Sequence, residues 1–480
     1  MPYEQYETVI GLETHVELAT KTKLFCGCST EFGGKPNSHT CPVCTGMPGS
    51  LPVLNRQALK YAIAVGLATH CEITRHSKFD RKNYFYPDNP QNYQISQLYL
   101  PICRNGWVEI STPSGKKKIG IHEIHMEEDA GKLIHDEWTD SSLVDYNRSG
   151  VPLIEIVSEP DMRSGEEVTA YLEKLRLILS YLGASDCKLE EGSMRADVNI
   201  SVRPAGSSLF GTRCEMKNIN SFKAIERCIR GEAERQIERI EEDKKEVVQE
   251  TRRWDDNKES SKAMRSKEDA KDYRYFPDPD LVPIDVSDEL LAEIKEEQPE
   301  FQEEKAVRYK EEYGLPDGDI RVLTSDKRLA EIFEETAKLS GLPKKASNWL
   351  IVETQQLMKE KNEEPKDLHF SPEHLAVLIK MADENKVSSG AARQIFNAVY
   401  ENDCDPEAYA KEKGLLIVHD EGALRAAAEK AIDSNPKAAA DYRAGKEKAI
   451  GALVGFVMKE LHGKADPGQA GQLLAGLLKN

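Results

Sequence analysis

The sequence has no apolar run that approaches the ~20 residues a membrane span requires, and its longest candidate, residues 451–458, is far too short. The first residues contain neither the basic nor the apolar segment of a secretory signal. We therefore expect a soluble, cytoplasmic protein that does not associate with membranes. In such a protein the ten cysteines are expected to be reduced thiols or metal ligands, because disulfides belong to oxidising compartments.

Familiar catalytic signatures are absent as well. The chain contains neither of the common nucleotide-binding patterns, G-x-x-x-x-G-K-[ST] and G-x-G-x-x-G. It also lacks G-x-S-x-G and H-E-x-x-H. A net charge of −18 argues against a protein that coats nucleic acid. Residues 405–480 contain equal numbers of acidic and basic side chains, so this tail is the part expected to contact RNA.

The sequence does contain segments in which apolar and ionisable residues alternate. They are residues 9–18, 153–159, 195–203 and 212–217. Side chains alternate across a strand, so each segment packs one face and presents the other. We predict a largely antiparallel sheet with an apolar face and an ionisable face. The polar positions of these segments include Glu13, His15, Glu17, Glu155, Glu159, Arg195, Asp197, Asn199, Arg203, Arg213, Glu215 and Lys217, and all of them except Asn199 are ionisable.

The ionisable face suggests a metal site. Any one of these strands is explained most simply by a polar face that meets water. Together they gather carboxylates and an imidazole, which are ligands for a hard cation such as Mg²⁺. Neighbouring guanidinium groups suggest a phosphate substrate. Residues 125–132 add Glu127 and Glu128 in apolar surroundings, where an unpaired charge is costly.

Four cysteines fall within nineteen residues as C-x-C, twelve residues and C-x-x-C: Cys26, Cys28, Cys41 and Cys44. Two close thiol pairs can place four sulfurs tetrahedrally around Zn²⁺. The alternative is a set of buried structural cysteines, but their clustering favours zinc. Its role would be structural, because a four-thiolate site leaves no open position for chemistry.

Residues 77–88 interleave basic and aromatic side chains, including Lys78, Arg81 and Lys82. This mixture suits phosphate contact combined with stacking on a base or an aminoacyl end. A surface hairpin with extended lysines is an equally good interpretation. Residues 272–280 partly repeat the pattern, and both segments could line one cleft.

Length and helical patterns suggest two or three domains. Helices are predicted at residues 55–69 and 222–248, each with a regularly spaced apolar stripe. Strand patterns stop near residue 287, and helical patterns follow, including residues 344–361. We predict domains at 1–295, 296–404 and 405–480.

The chain also resembles a known family. The resemblance extends over nearly the whole chain and is carried by residues 9–17, 78–88, 125–132, 153–161, 273–278 and 348–350. These segments resemble, in the same order, the B subunits of bacterial-type aspartyl/glutamyl-tRNA amidotransferases, the GatB/GatE family. Several long motifs in one order are far more specific than a single short pattern.

The resemblance implies an α+β fold: a cradle-shaped domain with a mainly antiparallel, glutamine-synthetase-like sheet, then an all-α helical domain and a small all-α, tRNA-binding tail domain. It implies a ligase that forms a carbon–nitrogen bond with glutamine as nitrogen donor. The enzyme would act on Glu-tRNA(Gln), Asp-tRNA(Asn) or both. ATP would phosphorylate the side-chain carboxylate, and ammonia would then displace phosphate. The ammonia would come from a partner glutaminase (the A subunit), in a heterotrimer that also contains a small C subunit.

Carried onto this sequence, the resemblance assigns Mg²⁺ to Glu13, His15, Glu128 and Glu155, with His15, Glu128 and Glu155 catalytic. Glu127 is the alternative to Glu128, because the strand register there cannot be read from sequence. The residues expected to contact ATP and the acyl phosphate are Lys78, Arg81, Lys82, Arg195, Asn199 and Lys217. Cys26, Cys28, Cys41 and Cys44 match the Zn²⁺ site that some family members carry.

Two other functions compete with this one. The chain could be a non-catalytic zinc-containing scaffold that binds tRNA, although RNA binding needs no carboxylates on buried strands. It could also be a stand-alone ligase that amidates a free amino acid, for which the helical half would be superfluous.

Overall fold

A computed structural model describes residues 5–136, 141–189, 191–266, 272–417, 421–461, 465 and 467–479. The chain divides into two compact units, Met1–Phe301 and Gln302–Asn480. The described part of the first unit is rich in strands, and that of the second is helical. This confirms the predicted order of a mixed amino-terminal part and an all-α carboxyl-terminal part.

The first unit is built on one large sheet. The strands described in this unit are β1 (Tyr6–Glu17), β2 (Glu72–Ile73), β3 (His76–Ser77), β4 (Asp80–Asn83), β5 (Tyr93–Ser96), β6 (Cys103–Thr112), β7 (Gly115–Glu128), β8 (Lys132–Asp136), β9 (Ser141–Asp145), β10 (Pro152–Ser158), β11 (Met194–Pro204), β12 (Cys214–Lys217), β13 (Glu250–Asp255), β14 (Ser260–Ser266), β15 (Phe276–Pro277) and β16 (Ile284–Asp285). Nine of them form a sheet in the order β14-β13-β12-β11-β1-β10-β7-β6-β2. Every neighbouring pair is antiparallel except β12 with β13.

The apolar face of this sheet is covered by helices. They are α1 (Arg56–Ala68), α2 (Gly165–Leu182) and α3 (Phe222–Glu241), and α4 (Asp288–Glu296) follows later in the chain. Ile10, Leu12 and Val16 of β1 are buried in one core with side chains of these helices. Because side chains alternate along a strand, this packing fixes the odd-numbered residues of β1 on the opposite, ionisable face.

The two helices predicted in this unit form, with one correction. Helix α1 begins where expected, because the Asn55 side chain accepts hydrogen bonds from the Gln57 and Ala58 amides. Helix α3 ends at Glu241 and not at residue 248. The apolar stripe stops at Ile240, and residues 243–246 have no apolar side chain that a longer helix could bury. Lys244 adopts a left-handed conformation with φ of 51°.

The second unit contains α5 (Gln302–Tyr313), α6 (Asp317–Leu323), α7 (Lys327–Ser340), α8 (Pro343–Asn348), α9 (Gln355–Lys361), α10 (Pro372–Asp383), α11 (Ser389–Asn402), α12 (Pro406–Glu412), α13 (Glu421–Ser434), α14 (Pro436–Arg443), α15 (Ile450–Glu460) and α16 (Pro467–Lys479). A π-helical turn, Trp349–Thr354, joins α8 to α9 within the single helix predicted there. One apolar core spans Tyr309 to Ala410, and a second spans Ala427 to Leu478. No helix in the described ranges is long and apolar enough to cross a membrane.

Candidate active site

Three neighbouring strands bring an imidazole and two carboxylates together. His15 of β1 pairs with Glu155 of β10, and Glu127 of β7 points to the same side of the sheet. His15 Nε2 lies 3.2 Å from Glu155 Oε2 and 3.8 Å from Glu127 Oε1. One ligand atom from each of the three residues lies within 4.8 Å of the others. This is a suitable donor set for Mg²⁺.

His125 belongs to this site although no role was predicted for it. Its Nε2 lies 3.3 Å from Glu155 Oε2, and its Nδ1 lies 3.3 Å from Glu123 Oε1. Burial disfavours the imidazolium, but the surrounding carboxylates outweigh burial and raise the pKa of His125 well above its usual value. The alternation of Glu123, His125 and Glu127 in the sequence is the signal that could have identified it.

The structure places Glu127, and not Glu128, beside His15 and Glu155. Alternation along β7 turns Glu128 to the other side, where its Oε1 accepts a hydrogen bond from the Ile95 amide at 3.0 Å. Burial raises the pKa of Glu128 to about 8. Of the two candidates that sequence left open, the geometry therefore favours Glu127 as the metal ligand, and Glu128 lies next to it as a buried carboxyl group.

Glu13 lies in a second carboxylate cluster with Asp197 of β11 and Glu215 of β12, again with ligand oxygens within 4.8 Å of one another. Asn199 donates a hydrogen bond of 3.0 Å to Glu13 Oε1. Lys217 pairs with Asp197 and lies 2.7 Å from Glu215 Oε1. Burial, with a contribution from Glu155, raises the pKa of Glu13. Asp197 and Glu215 were not among the metal ligands predicted from sequence.

Arg195 of β11 pairs with His15 of β1. Its Nη2 is 3.0 Å from Asp129 Oδ2, and Arg148 Nε is 3.3 Å from the same oxygen. Burial, together with Asp129, raises the pKa of the neighbouring Glu17 to about 8. Two guanidinium groups are therefore held at one carboxylate, on the same side of the sheet as the histidine cluster.

The basic–aromatic segment forms β4 in a small sheet of order β15-β4-β5. Arg81 Nε and Nη2 lie 2.7 Å from Asp278 and 2.7 Å from Asp280, so this guanidinium is occupied by carboxylates. Lys78 Nζ lies 3.3 Å from Asp80 Oδ1. Lys82 Nζ lies 5.1 Å from the Tyr273 ring centroid. The two aromatic segments singled out in the sequence are thus neighbours.

This small sheet adjoins the histidine cluster. The Ser96 hydroxyl of β5 lies 3.5 Å from Glu127 Oε2, one residue from the Ile95 amide that donates to Glu128. Lys82 of β4 and the carboxylates of β7 are therefore linked through β5. Lys78 lies two residues before β4.

The four clustered cysteines converge as their spacing predicts. Cys44 Sγ lies 3.9 Å from Cys41 Sγ and 4.0 Å from Cys28 Sγ, and Cys26 completes a set within 4.8 Å. Four sulfurs placed tetrahedrally around Zn²⁺ at the usual bond length lie about 3.8 Å apart. The Cys41 amide also donates to Cys44 Sγ at 3.2 Å. The residues therefore fit a four-thiolate metal site.

Comparison with known proteins agrees with this geometry. Residues 8–292 match a family model described as the GatB/GatE catalytic domain, and residues 331–478 match one described as the GatB domain. A relative from Agathobacter rectalis is 66% identical over 475 residues, covering 99% of this chain and 100% of the relative. One from Lachnospira eligens is 65% identical over 483 residues, with the same coverage. Both are named as the B subunit of aspartyl/glutamyl-tRNA(Asn/Gln) amidotransferase.

The mixed sheet and the clustered carboxylates lie within residues 8–292, so this part of the chain belongs to the class described as the GatB/GatE catalytic domain. The chain belongs to the family of aspartyl/glutamyl-tRNA(Asn/Gln) amidotransferase B subunits. The family resemblance drawn from the sequence is thereby confirmed.

Proposed function

We propose that this chain carries the site at which ATP activates the side-chain carboxylate of Glu-tRNA(Gln), Asp-tRNA(Asn) or both, and ammonia converts it to an amide. The observation that supports this most is the convergence of His15, Glu127 and Glu155 beside a second acidic cluster. A carboxylate is a poor electrophile because its leaving group would be oxide. Transfer of a phosphoryl group to it creates a good leaving group, and such transfer requires cations around the phosphate.

The two acidic clusters suit two Mg²⁺ positions. His15, Glu127 and Glu155 would hold one ion, and Glu13, Asp197 and Glu215 the other. Bound Mg²⁺ would neutralise phosphate charge and align the nucleotide with the attacking carboxylate. Glu155 Oε2 lies 3.2 Å from His15 Nε2 and 3.3 Å from His125 Nε2, so the two imidazoles hold this oxygen in place within the first cluster.

The cations near the clusters would bind the nucleotide and the acyl phosphate. Lys217 would contact phosphate next to the second cluster, where Asn199 orients Glu13. Arg195, Lys78 and Lys82 are further candidates. Arg81 is a candidate as well, and it also pairs with Asp278 and Asp280 at the junction of β4 and β15.

Partners and location are also proposals. The relatives are named as the B subunit of an amidotransferase, which supports an enzyme of several subunits. From the family resemblance we propose a heterotrimer with a glutaminase (the A subunit) and a small C subunit, acting on tRNA in the cytoplasm. We keep the division into a cradle domain at 1–295, a helical domain at 296–404 and a tRNA-binding tail domain at 405–480. The second unit has two separate apolar cores, which support two helical domains there, and because the first core includes Ala410 the division between them would follow that residue.

We also propose that Cys26, Cys28, Cys41 and Cys44 hold Zn²⁺ in a structural role. The Ser149 hydroxyl donates a hydrogen bond of 3.1 Å to the Cys44 carbonyl. The Gly150 amide donates to the Asp129 carbonyl at 2.8 Å. The cysteine cluster therefore supports the turn that precedes β10, and with it the positions of Asp129 and Glu155.

The function is tested with the purified chain and its co-purifying partner proteins, supplied with Glu-tRNA(Gln), Mg-ATP and ammonium. Glutamine is expected on the tRNA only when ATP is present. If glutamate stays unchanged and Asp-tRNA(Asn) is also inert, the tRNA-binding scaffold is the better account. Amide formation from free glutamate without tRNA would instead favour the stand-alone ligase.

The buried Glu128 predicts a pH-dependent stability of the magnesium-free chain. The carboxyl ionises near pH 4.5 when unfolded, whereas folding raises its pKa to about 8. Between these values the folded state binds the extra proton, so stability falls as pH rises through this window and the full loss is present above pH 8. Between pH 6 and pH 9, Glu128→Gln should remove about 3 kcal/mol of this decline. Urea unfolding at pH 6 and pH 9 measures it, and an unchanged pH dependence in the variant would contradict it.

A further inference from the structure

Lys23 is a charged residue with no exposed surface, at 0% relative accessibility. Its ammonium donates one hydrogen bond, to the Tyr146 carbonyl at 3.1 Å. In the described ranges of the chain, no carboxylate oxygen lies within 4.0 Å of Lys23 Nζ. A buried ammonium that has only a neutral acceptor is costly. A negatively charged group nearby would therefore stabilise this ammonium.

The thiol cluster lies beside this side chain. The Lys23 amide donates a hydrogen bond of 3.0 Å to the Cys28 carbonyl, so the backbone of Lys23 contacts the first cysteine pair. A Cβ built on Gly150 would lie 3.5 Å from Cys44 Cβ and 3.6 Å from Lys23 Cδ, so the lysine stem passes close to the second pair.

We propose that Lys23 is the fixed counter-cation of the four-thiolate centre, an inference that rests on the proposed zinc site. Four thiolates around Zn²⁺ leave two negative charges, which are costly where Cys44 is buried. The buried ammonium of Lys23 would compensate one of them. Through Tyr146, the same ammonium also ties the metal centre to the loop before β10.

Zinc affinity of the full-length chain tests the role of Lys23. Zn²⁺ is titrated against a chromogenic chelator in the wild type and in Lys23→Met, which removes the charge and keeps an unbranched apolar stem. We expect a 10–100-fold weaker affinity, the range typical of residues that support metal ligands. Lys21→Met, which removes an exposed ammonium two residues away, is the matched control and should bind zinc as the wild type does.

Stability of the zinc-free protein separates charge compensation from packing. Loss of an uncompensated buried charge should leave the zinc-free Lys23→Met chain at least as stable as the wild type. A chain that becomes less stable while its zinc affinity stays unchanged would instead show that Lys23 only packs. If Lys23→Met does not fold, Lys23→Gln tests the same loss of charge.

The outcomes also separate this inference from the proposed zinc site. A wild-type chain that binds no Zn²⁺ overturns both. A wild-type chain that binds Zn²⁺, with a folded Lys23 variant that binds it equally tightly, overturns the role of Lys23 alone. Co²⁺ substitution adds a spectroscopic readout, because the variant should keep a tetrahedral four-thiolate spectrum and reach it only at higher Co²⁺ concentration.

Discussion

Replacing Glu155 with glutamine is expected to lower the rate of amide formation on aminoacyl-tRNA by at least ~100-fold. Glu155 lies 3.2 Å from His15 and 3.3 Å from His125, and one of its oxygens is within 4.8 Å of a ligand oxygen of Glu127, so it contacts the other members of the proposed metal site. Glutamine preserves the size of the side chain and removes the charge that would bind Mg²⁺. Rates are measured with the assembled complex under saturating Mg-ATP, tRNA and ammonium.

Glu159→Gln is the matched control for this experiment. Glu159 follows β10 four residues after Glu155, is 46% exposed and lies 2.9 Å from His122 Nδ1, outside both acidic clusters. Its replacement should leave the rate within about twofold of the wild type. Binding of tRNA should be unchanged in both variants. A Glu155→Gln enzyme with near-wild-type activity would mean that the reaction does not use this cluster.

Replacing Cys44 with serine should reduce the zinc content of the chain from one ion to none and destabilise the first unit by about 3–5 kcal/mol. Cys44 is the buried member of the thiol cluster and accepts the Cys41 amide. A structural zinc centre contributes its binding free energy to folding. Metal content and urea unfolding measure the two effects.

Hydrogen exchange locates the part of the structure that Cys44→Ser destabilises. The amides of Leu24, Asp129 and Gly150 all donate hydrogen bonds within the turn that the cysteine cluster supports. They should exchange faster in Cys44→Ser, whereas strand pairing of β11 with β12 should stay protected. Cys71→Ser, at a half-buried thiol outside the cluster, should keep its zinc. Full zinc content in Cys44→Ser would contradict a four-thiolate site.

The parts of the site that could be predicted from sequence are those with a local pattern. Alternation in residues 9–18 identified the ionisable face of β1 because its period is the period of a strand. The C-x-C and C-x-x-C pairs converge because each pair is short enough to act as one unit. The strand patterns end near residue 287, and this predicted a sheet-rich part that precedes a helical part.

The remaining features depend on contacts between distant segments. Glu127, Glu128 and Asp129 are consecutive acids, so only the pairing of β7 with β10 shows which one faces His15. Asp197 and Glu215 join Glu13 because β11 lies between β1 and β12, an arrangement that no single strand encodes. The buried Lys23 was not singled out, since a lysine beside cysteines in sequence gives no sign of its burial.

The most direct test of the account follows an oxygen atom. The assembled enzyme is given Glu-tRNA(Gln) whose side-chain carboxylate carries ¹⁸O, together with Mg-ATP and ammonium, and the released phosphate is analysed by mass. Activation by phosphorylation transfers one carboxylate oxygen to phosphate, so we predict one ¹⁸O in each phosphate formed with glutamine, and none from Glu155→Gln. Unlabelled phosphate released together with glutamine would contradict an acyl-phosphate reaction at this site.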